Sequence, residues 1–337
     1  MAEIEVREVR SEEYRTWDEL VTGSPQGTVF HLSDWAVTCA SLSHKRPLLL
    51  GYYEDGCLTG GCLLYVTRKF RFISTAASTA PMTPYGGYLL LESASTKVRE
   101  REIRNRSIVQ AISDEVSKQG FASVNILSSP AFQDIRPLTW DGWTSSVYYT
   151  YELPLVEDIS SHISKKVRNI IRKGQKNDIQ VSKCYEPEVY WDLTVSTYEK
   201  QNRKPPFTKT FLTGMLDMII EHKFGEMWIA KTPTGEAAAA EVITWDNHKA
   251  HRWSAASNFV YKDTGATSLL LFEIFLDLQK KGFDRINLMA GNTPHLSMFV
   301  SSFNPELVPY YGVKKMQFWF NIKRLIKKTM EFGSDRR

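Results

Sequence analysis

One passage of this chain occurs twice, and that repeat limits the possible folds more than any single motif. Residues 118–127 read KQGFASVNIL and residues 280–289 read KKGFDRINLM. Lys118, Gly120, Phe121 and Asn125 return as Lys280, Gly282, Phe283 and Asn287. The same offset of 162 carries Ile108, Ile112 and Val116 onto Leu270, Ile274 and Leu278, and Tyr148 and Tyr149 onto Tyr310 and Tyr311. A match through helix, turn and strand at a single offset implies a duplicated domain. Two copies exclude a solenoid, which needs about three or more repeats. A chain of 337 residues has room for two domains of ordinary size.

Apolar and charged fractions of 42% and 24% fit a soluble globular protein. The charged start, MAEIEVREVRSEEY, is not a secretory signal, and no run of about 18 apolar residues exists for a spanning helix. Cys39, Cys57, Cys62 and Cys184 show no CxxC spacing and read as reduced, mostly buried thiols, which points to the cytoplasm. His248 and His251 lie close together without an acidic or cysteine partner at ligand spacing, so no metal site is expected. Charge is uneven: residues 1–155 carry a net −3 and residues 156–337 a net +7. The excess sits in Lys165, Lys166, Arg168, Arg172, Lys173 and Lys176 and in the tail from Lys314 to Arg337. A basic half suggests an anionic ligand.

Local patterns predict helices over Ser11–Val21, with Ser11 as N-cap, and His31–Leu42. Strands RPLLLGYYE and LTGGCLLYVTRKF flank Asp55-Gly56, a hairpin turn. The Ser-, Thr- and Pro-rich stretch from Ile73 to Pro84 reads as loop, and Tyr85–Leu91 as a strand. A helix over Lys97–Lys118 stops at Gly120, and strands over Ala122–Leu127 and Ser145–Leu153 follow. The second copy repeats the plan. Strands are expected at Met227–Lys231, Glu236–Trp245 and Ala250–Ala256, a helix at Thr267–Lys280 that starts near Gly265 or, where the loop before it is plain, has Thr267 as N-cap, and strands at Arg285–Met289 and Val308–Met316. Between the copies a helical linker spans about Ile159–Phe224. The expected division is 1–155, 156–225 and 226–337, with the basic segment in the linker.

This order resembles the fold of the GCN5-related N-acetyltransferases (GNAT), and two copies in one chain resemble the FemAB family of acyl and aminoacyl transferases. The likeness rests on GTVFHLSDW and LLGYYEDGCLTGGCLLYV in the first half and KKVRNIIRKGQKNDIQV in the linker. In the second half it rests on GEAAAAEVITWD, TSLLLFEIFLDLQKKGFDRINLMAGN and FVSSFNPELVPYYG. It implies an α/β (α+β) fold of two tandem GNAT-like domains, each a mixed, mostly antiparallel sheet flanked by helices.

In that fold the fourth and fifth strands splay apart, and an acyl donor satisfies their unpaired backbone. The following helix points its N-terminus at the donor's pyrophosphate. The resemblance thus implies a donor site between His251–Ala256 and Arg285–Met289, with Lys262, Gly265, Ala266, Thr267 and Ser254 binding the cofactor. The alternative is a plain loop with a glycine turn. The aligned EREIRN at 100–105 has no glycine, so the first copy is expected to be a structural wall.

Transfer to an amine needs a base, an oxyanion donor and a proton for the leaving group. Glu241 and His251 are candidate bases. Glu241 follows four alanines and reads either as buried with a raised pKa, or as facing solvent on an alternating strand or paired with a nearby cation; His251 reads more readily as a surface histidine. Tyr310 and Tyr311 sit where the fold often places a tyrosine that protonates the leaving thiolate, yet Tyr148 and Tyr149 recur in the other copy, which equally supports a structural role. Asn287 shares that ambiguity with Asn125, whereas Asn292 and Ser254 have no counterparts. Lys166, Arg168, Arg172 and Lys173 read as an anion-binding rim or as a solvated helix face.

Two functions remain open. One is an acyl or aminoacyl transferase acting from acyl-CoA, a co-substrate rather than a tightly bound cofactor, on a primary amine of a small-molecule or cell-envelope precursor. Aminoacyl-tRNA is the alternative donor, although Pro187 and Pro205-Pro206 interrupt any long helical arm. The other is an inactive duplicated fold that binds an anionic ligand or a partner.

Overall fold

The computed structural model describes residues 3–69, 73–200 and 202–316. It separates into two compact units, residues 1–147 with 311–337, and residues 148–310. The strand expected to reach Phe70 is described as far as Lys69, and all of the basic tail beyond Met316 lies outside the described residues.

The first unit runs β1 (Ile4–Glu8), α1 (Tyr14–Gly23), α2 (Ser33–Leu42), β2 (Arg46–Glu54), β3 (Cys57–Lys69), β4 (Ile73–Ala77), β5 (Gly87–Leu90), α3 (Val98–Lys118), β6 (Ser123–Leu127) and α4 (Arg136–Trp140). β7 (Thr144–Pro154) begins there and ends in the second unit. The second unit continues with α5 (Ile159–His162), α6 (Lys165–Lys176), β8 (Gln180–Lys183), α7 (Pro187–Glu199), α8 (Lys209–Glu221), β9 (Gly225–Lys231), β10 (Ala237–Trp245), β11 (Ala250–Ser257), α9 (Ala266–Lys280), β12 (Arg285–Met289) and α10 (Pro294–Ser301). The last strand, β13 (Glu306–Met316), begins in the second unit and ends in the first.

In the first unit β1, β2 and β3 pair antiparallel in series, and β3 also pairs antiparallel with both β4 and β5. β4 lies parallel to β6, and β6 pairs antiparallel with residues 312–316 of β13. The β2–β3 hairpin turns through Asp55 (φ 49) and Gly56 (φ 78), the left-handed pair that a tight two-residue turn needs. The second unit's sheet runs β7, β12, β11, β10, β9 and β8, antiparallel throughout except for β11 beside β12. Each unit buries its own apolar cluster. Leu50, Leu64, Tyr88, Ile108, Ile112 and Ile126 lie in the first. Ile171, Leu270, Ile274, Phe275, Ile286 and Phe303 lie in the second. Ile108 and Ile112 on α3, and Leu270 and Ile274 on α9, are the repeated positions, and all four are fully buried.

Several local expectations change. Residues 11–13 form a 3-10 turn rather than the start of an α-helix, so Ser11 is not the cap. Glu13 accepts from Arg10 N at 3.0 Å and pairs with Arg7 at 2.7 Å, which closes that turn instead. α2 starts at Ser33, two residues later than expected. Part of the stretch expected as loop, Ile73–Ala77, is a strand: β3 and β6 supply backbone partners on both sides, which overrides its Ser- and Thr-rich composition. The linker is not wholly helical, because β8 extends the sheet along β9. For that reason residues 156–225 fall inside the second unit, residues 148–310, and β13 returns the chain to the first. Among the described residues no helix is long and apolar enough to cross a membrane.

Candidate functional site

The second unit opens where its parallel pair ends. β10 and β11 pair along most of their length, but β11 pairs with β12 only at Ala250↔Ile286 and His251↔Asn287. Beyond that point β12 follows β7 instead, with a register shift between Asn287 and Met289. Met289 (φ 57) and Ala290 (φ 60) are left-handed, an unusual backbone for side chains of this kind. The next residue has to be glycine: a Cβ on Gly291 would sit 2.2 Å from Tyr149 O. The backbone of Arg252–Ser257 on β11 therefore has no strand beside it on the β12 side among the described residues.

Buried polar groups fix this geometry. Asn287 is fully buried; its Oδ1 accepts from Thr150 Oγ1 at 2.6 Å and from Met289 N at 2.8 Å. Asn292 Oδ1 accepts from Tyr149 N at 2.9 Å, and its Nδ2 donates to Tyr310 Oη at 3.0 Å. Tyr148 stacks on Tyr310 with ring centres 5.6 Å apart. Burial pushes the Tyr310 phenol above its ordinary value, against the opposing pull of Asn292. Ser254, half-buried on β11, accepts from the Oη of fully buried Tyr190 on α7 at 2.7 Å.

The candidate bases lie in separate ion pairs. Glu241, 1% exposed, meets Arg252 through two hydrogen bonds of 2.8 and 2.6 Å. Burial pushes the Glu241 carboxyl up while Arg252 pulls it down. Of the two readings of Glu241, buried and paired are both correct. His251 is not on the surface: it is 1% exposed, with Nε2 2.7 Å from Asp246 Oδ2. Burial opposes the charge on Asp246, but His251 and the N–H groups of His248 and Lys249 outweigh it and hold the carboxyl at about 2. Tyr311 belongs to the first unit, where its carbonyl accepts from Ser128 N at 3.2 Å.

The helix expected to face phosphate, α9, is capped by Gly265 rather than Thr267, which lies in the first turn. Gly265 is left-handed (φ 89), and a Cβ there would lie 2.5 Å from Ile170 O and 2.6 Å from Gly174 N. α6 and α9 therefore meet backbone to backbone. Asn177, just past α6, donates to Thr264 O at 2.9 Å. Ala266 N donates to Thr264 Oγ1 at 3.3 Å. The exposed Lys262 stacks over Phe259 at 4.1 Å.

On α6, Val167, Ile171 and Gly174 are buried and Lys165, Lys166, Arg172, Lys173 and Lys176 are exposed. Arg168 donates to the carbonyls of Ser160 at 3.1 Å and Ile163 at 2.5 Å, so it tethers α5 rather than pointing outward. Among the described residues no carboxylate forms an ion pair with these six cations. The part of α6 that meets the turn before α9 is its backbone at Ile170 and Gly174.

Sequence reasoning missed Arg252, Tyr190 and Asp246. The hairpin turn at Asp246-Asn247 carried a signal for the first. Its register, Trp245↔Ala250 and Ile243↔Arg252, makes Glu241 a diagonal neighbour of Arg252. Nothing local marks Tyr190, which comes from another element.

Residues 162–297 match the family description of an acetyltransferase (GNAT) domain. The fold is similar to that of FemX, with a TM-score of 0.74 over 96% of this chain and 99% of that one, at 11% identity. A tandem GNAT protein from the clavulanic acid biosynthesis pathway aligns with a TM-score of 0.56 over 93% of this chain and 98% of that one, at 13% identity. The C-terminal domain of a putative lysylphosphatidylglycerol synthetase from Agrobacterium fabrum gives 0.57 over 94% and 95%, at 11% identity. No curated protein matches the chain in sequence. The architecture is a FemAB-like tandem GNAT fold.

Proposed function

We propose, from a chain that carries a GNAT acetyltransferase domain in a FemAB-like tandem fold, that it transfers an acyl or aminoacyl group to a primary amine. The donor in this reading is an acyl-CoA, and the acceptor is a small-molecule or cell-envelope precursor. The observation that carries the reading is the two-residue contact between β11 and β12, beyond which no strand pairs with Arg252–Ala256 on that side among the described residues, so that an extended thioester arm has a backbone edge to lie along.

The chemistry follows from that placement. The amine nitrogen attacks the thioester carbon, the C–S bond breaks, and the amine loses a proton while the thiolate gains one. A phenol is protonated at neutral pH, and burial raises the pKa of Tyr310 further, so it is the proposed source of a proton for the leaving sulfur. Asn292 fixes the position of that phenol by donating to its oxygen. Ser254 and the backbone beside it are proposed to hold the donor. Glu241 is proposed as a fixed charge that orders Arg252 rather than as a mobile base, because both its oxygens are engaged. The first turn of α9, with Lys262, Thr267 and the neighbouring Lys166, Arg172 and Lys173 of α6, is proposed to receive the donor's phosphates.

The test measures thiol release and amide formation with acetyl-CoA and a panel of aminosugars, amino acids and diamines. A ligand at 100 times its dissociation constant adds about 2.7 kcal/mol of stability, so a thermal-shift series screens donors first. Stabilisation by aminoacyl-tRNA and not by CoA would replace the donor and keep the reaction class. No stabilisation by CoA, acyl-CoA or aminoacyl-tRNA would overturn the transferase reading in favour of an inactive binding fold.

A further inference from the structure

β11 turns Arg252 and Ser254 to opposite faces of its sheet, and a bulge is the cause. Ile243 of β10 is partnered by Arg252, and its neighbour Val242 by Ser254. β11 therefore carries an extra residue at that point, Trp253. Neighbours on a strand point to opposite faces, so Ile243 and Val242 do, and their partners go with them. In a regular strand Arg252 and Ser254 would share a face. With the bulge, Arg252 stays beside Glu241 and Ser254 comes against α7.

α7 holds β11 at two points on that face. Tyr190 Oη donates to Ser254 Oγ at 2.7 Å. Further along the helix, Thr197 Oγ1 accepts from Ser257 N at 3.0 Å. From Tyr190 to Thr197 the helix rises about 10.5 Å, and from Ser254 to Ser257 the strand spans about 10 Å, so helix and strand keep step between the two contacts. The stretch so held is the one that β12 has left, the edge along which the donor is proposed to lie.

The contact divides the hydrogen bonding of Ser254. Tyr190 is fully buried, and burial pushes its phenol well above the ordinary value, so it keeps its proton and donates it. Ser254 Oγ takes that bond, and among the described residues its own O–H meets no protein acceptor. Ser254 is half-buried rather than closed off.

We propose that Ser254 donates its O–H to the carbonyl oxygen of the donor's thioester, and that Tyr190 is the positioning residue that holds Ser254 for it. This rests on the thioester donor proposed above and adds the contact that recognises its acyl group. That oxygen gathers negative charge as the amine adds, and a donor already in place there needs no reorganisation at that moment. Neither side chain forms a covalent bond or gives up its proton. A tyrosine ring packed on all sides keeps one rotamer, so its hydroxyl is a fixed point from which the serine is oriented.

Calorimetry of the full chain with acetyl-CoA and with CoA tests this, because only acetyl-CoA carries the carbonyl. The parent chain is expected to bind both. Tyr190→Phe keeps the buried ring and removes the oxygen alone; it is expected to weaken acetyl-CoA about three- to tenfold and to leave CoA unchanged. Ser254→Ala is expected to do the same. Tyr190→Phe/Ser254→Ala removes both partners and strands neither, and it is expected to bind acetyl-CoA no more weakly than Ser254→Ala alone. Unchanged acetyl-CoA affinity in either single variant would overturn the proposal, as would losses that add in the double variant. Losses that fall equally on CoA and acetyl-CoA would assign the pair to packing and overturn it as well. A parent chain that binds neither compound would instead overturn the thioester donor, and this inference with it.

Discussion

Alanine at Gly265 is expected to destabilise the second unit more than alanine at Gly282, although both glycines have nearly the same backbone. Gly282 has φ 88 and Gly265 φ 89. A non-glycine residue in the left-handed region loses about 1–2 kcal/mol at either site. At Gly282 nothing lies within 4 Å of the added Cβ, so that is the whole effect. At Gly265 the Cβ would lie 2.5 Å from Ile170 O and 2.6 Å from Gly174 N, both backbone atoms of α6 that no rotamer change can move. Overpacking of this kind adds about 1–3 kcal/mol. The expected losses are therefore about 1–2 kcal/mol for Gly282→Ala and about 2–5 kcal/mol for Gly265→Ala. Urea unfolding of the two variants beside the parent chain measures both. Equal losses would refute the close approach of α6 to α9. The same contact with α6 makes Gly265→Asp a folding defect before it can act on donor binding.

Arg252→Met removes one half of a buried pair and leaves Glu241 without its cation, an expected loss of about 3–5 kcal/mol; Glu241→Leu/Arg252→Met should recover most of it, and a double variant no more stable than Arg252→Met would refute the pairing. Asp246, whose carboxyl is held at about 2 against an ordinary 3.8, contributes stability that is present above about pH 4 and lost as pH falls through 2. That amounts to about 2 kcal/mol, so Asp246→Asn should flatten the acid limb of stability against pH, and an unchanged limb would count against the His251–Asp246 contact. Lys166→Glu/Arg172→Glu should raise KM for an anionic substrate at low salt, with the effect shrinking as the Debye length falls to about 8 Å at physiological ionic strength; an unchanged KM at low salt would reduce α6 to a packing helix.

The duplication was legible because it is written in residues that recur for the same physical reason. Gly120 and Gly282 both end a helix in the left-handed region, and the buried isoleucines and leucines ahead of them form the same face. Asp55-Gly56 was legible because only one turn type suits that pair between apolar runs. β4 was not, because Ile73 and Thr75 are its only strand formers among Ser and Ala, and the pairing is supplied by β3 and β6. β8 hid in a linker for the same reason. The engaged state of Glu241 was half legible. Four alanines before it pointed to burial, but its partner Arg252 could be read only by counting the register back from the turn at Asp246-Asn247.

Recurrence was a poorer guide to function than to fold, and the asparagines explain why. Asn125 and Asn287 occupy one position in the repeat, which argued for one shared role. Asn125 is exposed, whereas Asn287 is fully buried and accepts two hydrogen bonds. One of those comes from Met289 N, at the left-handed residue where β12 leaves β11. A buried N–H without a partner is unfavourable by about 1–3 kcal/mol, so Asn287 is what makes that turn of the backbone tolerable. The second unit therefore keeps its opening through a side chain that the first unit has released to solvent. At the corresponding place the first unit relies on other contacts, Gly86 packed against Ser78 and a single bridge from Gly86 to Ser128. One topological position is thus held by unrelated contacts in the two copies, so a recurring residue marks a shared place in the fold and not a shared task.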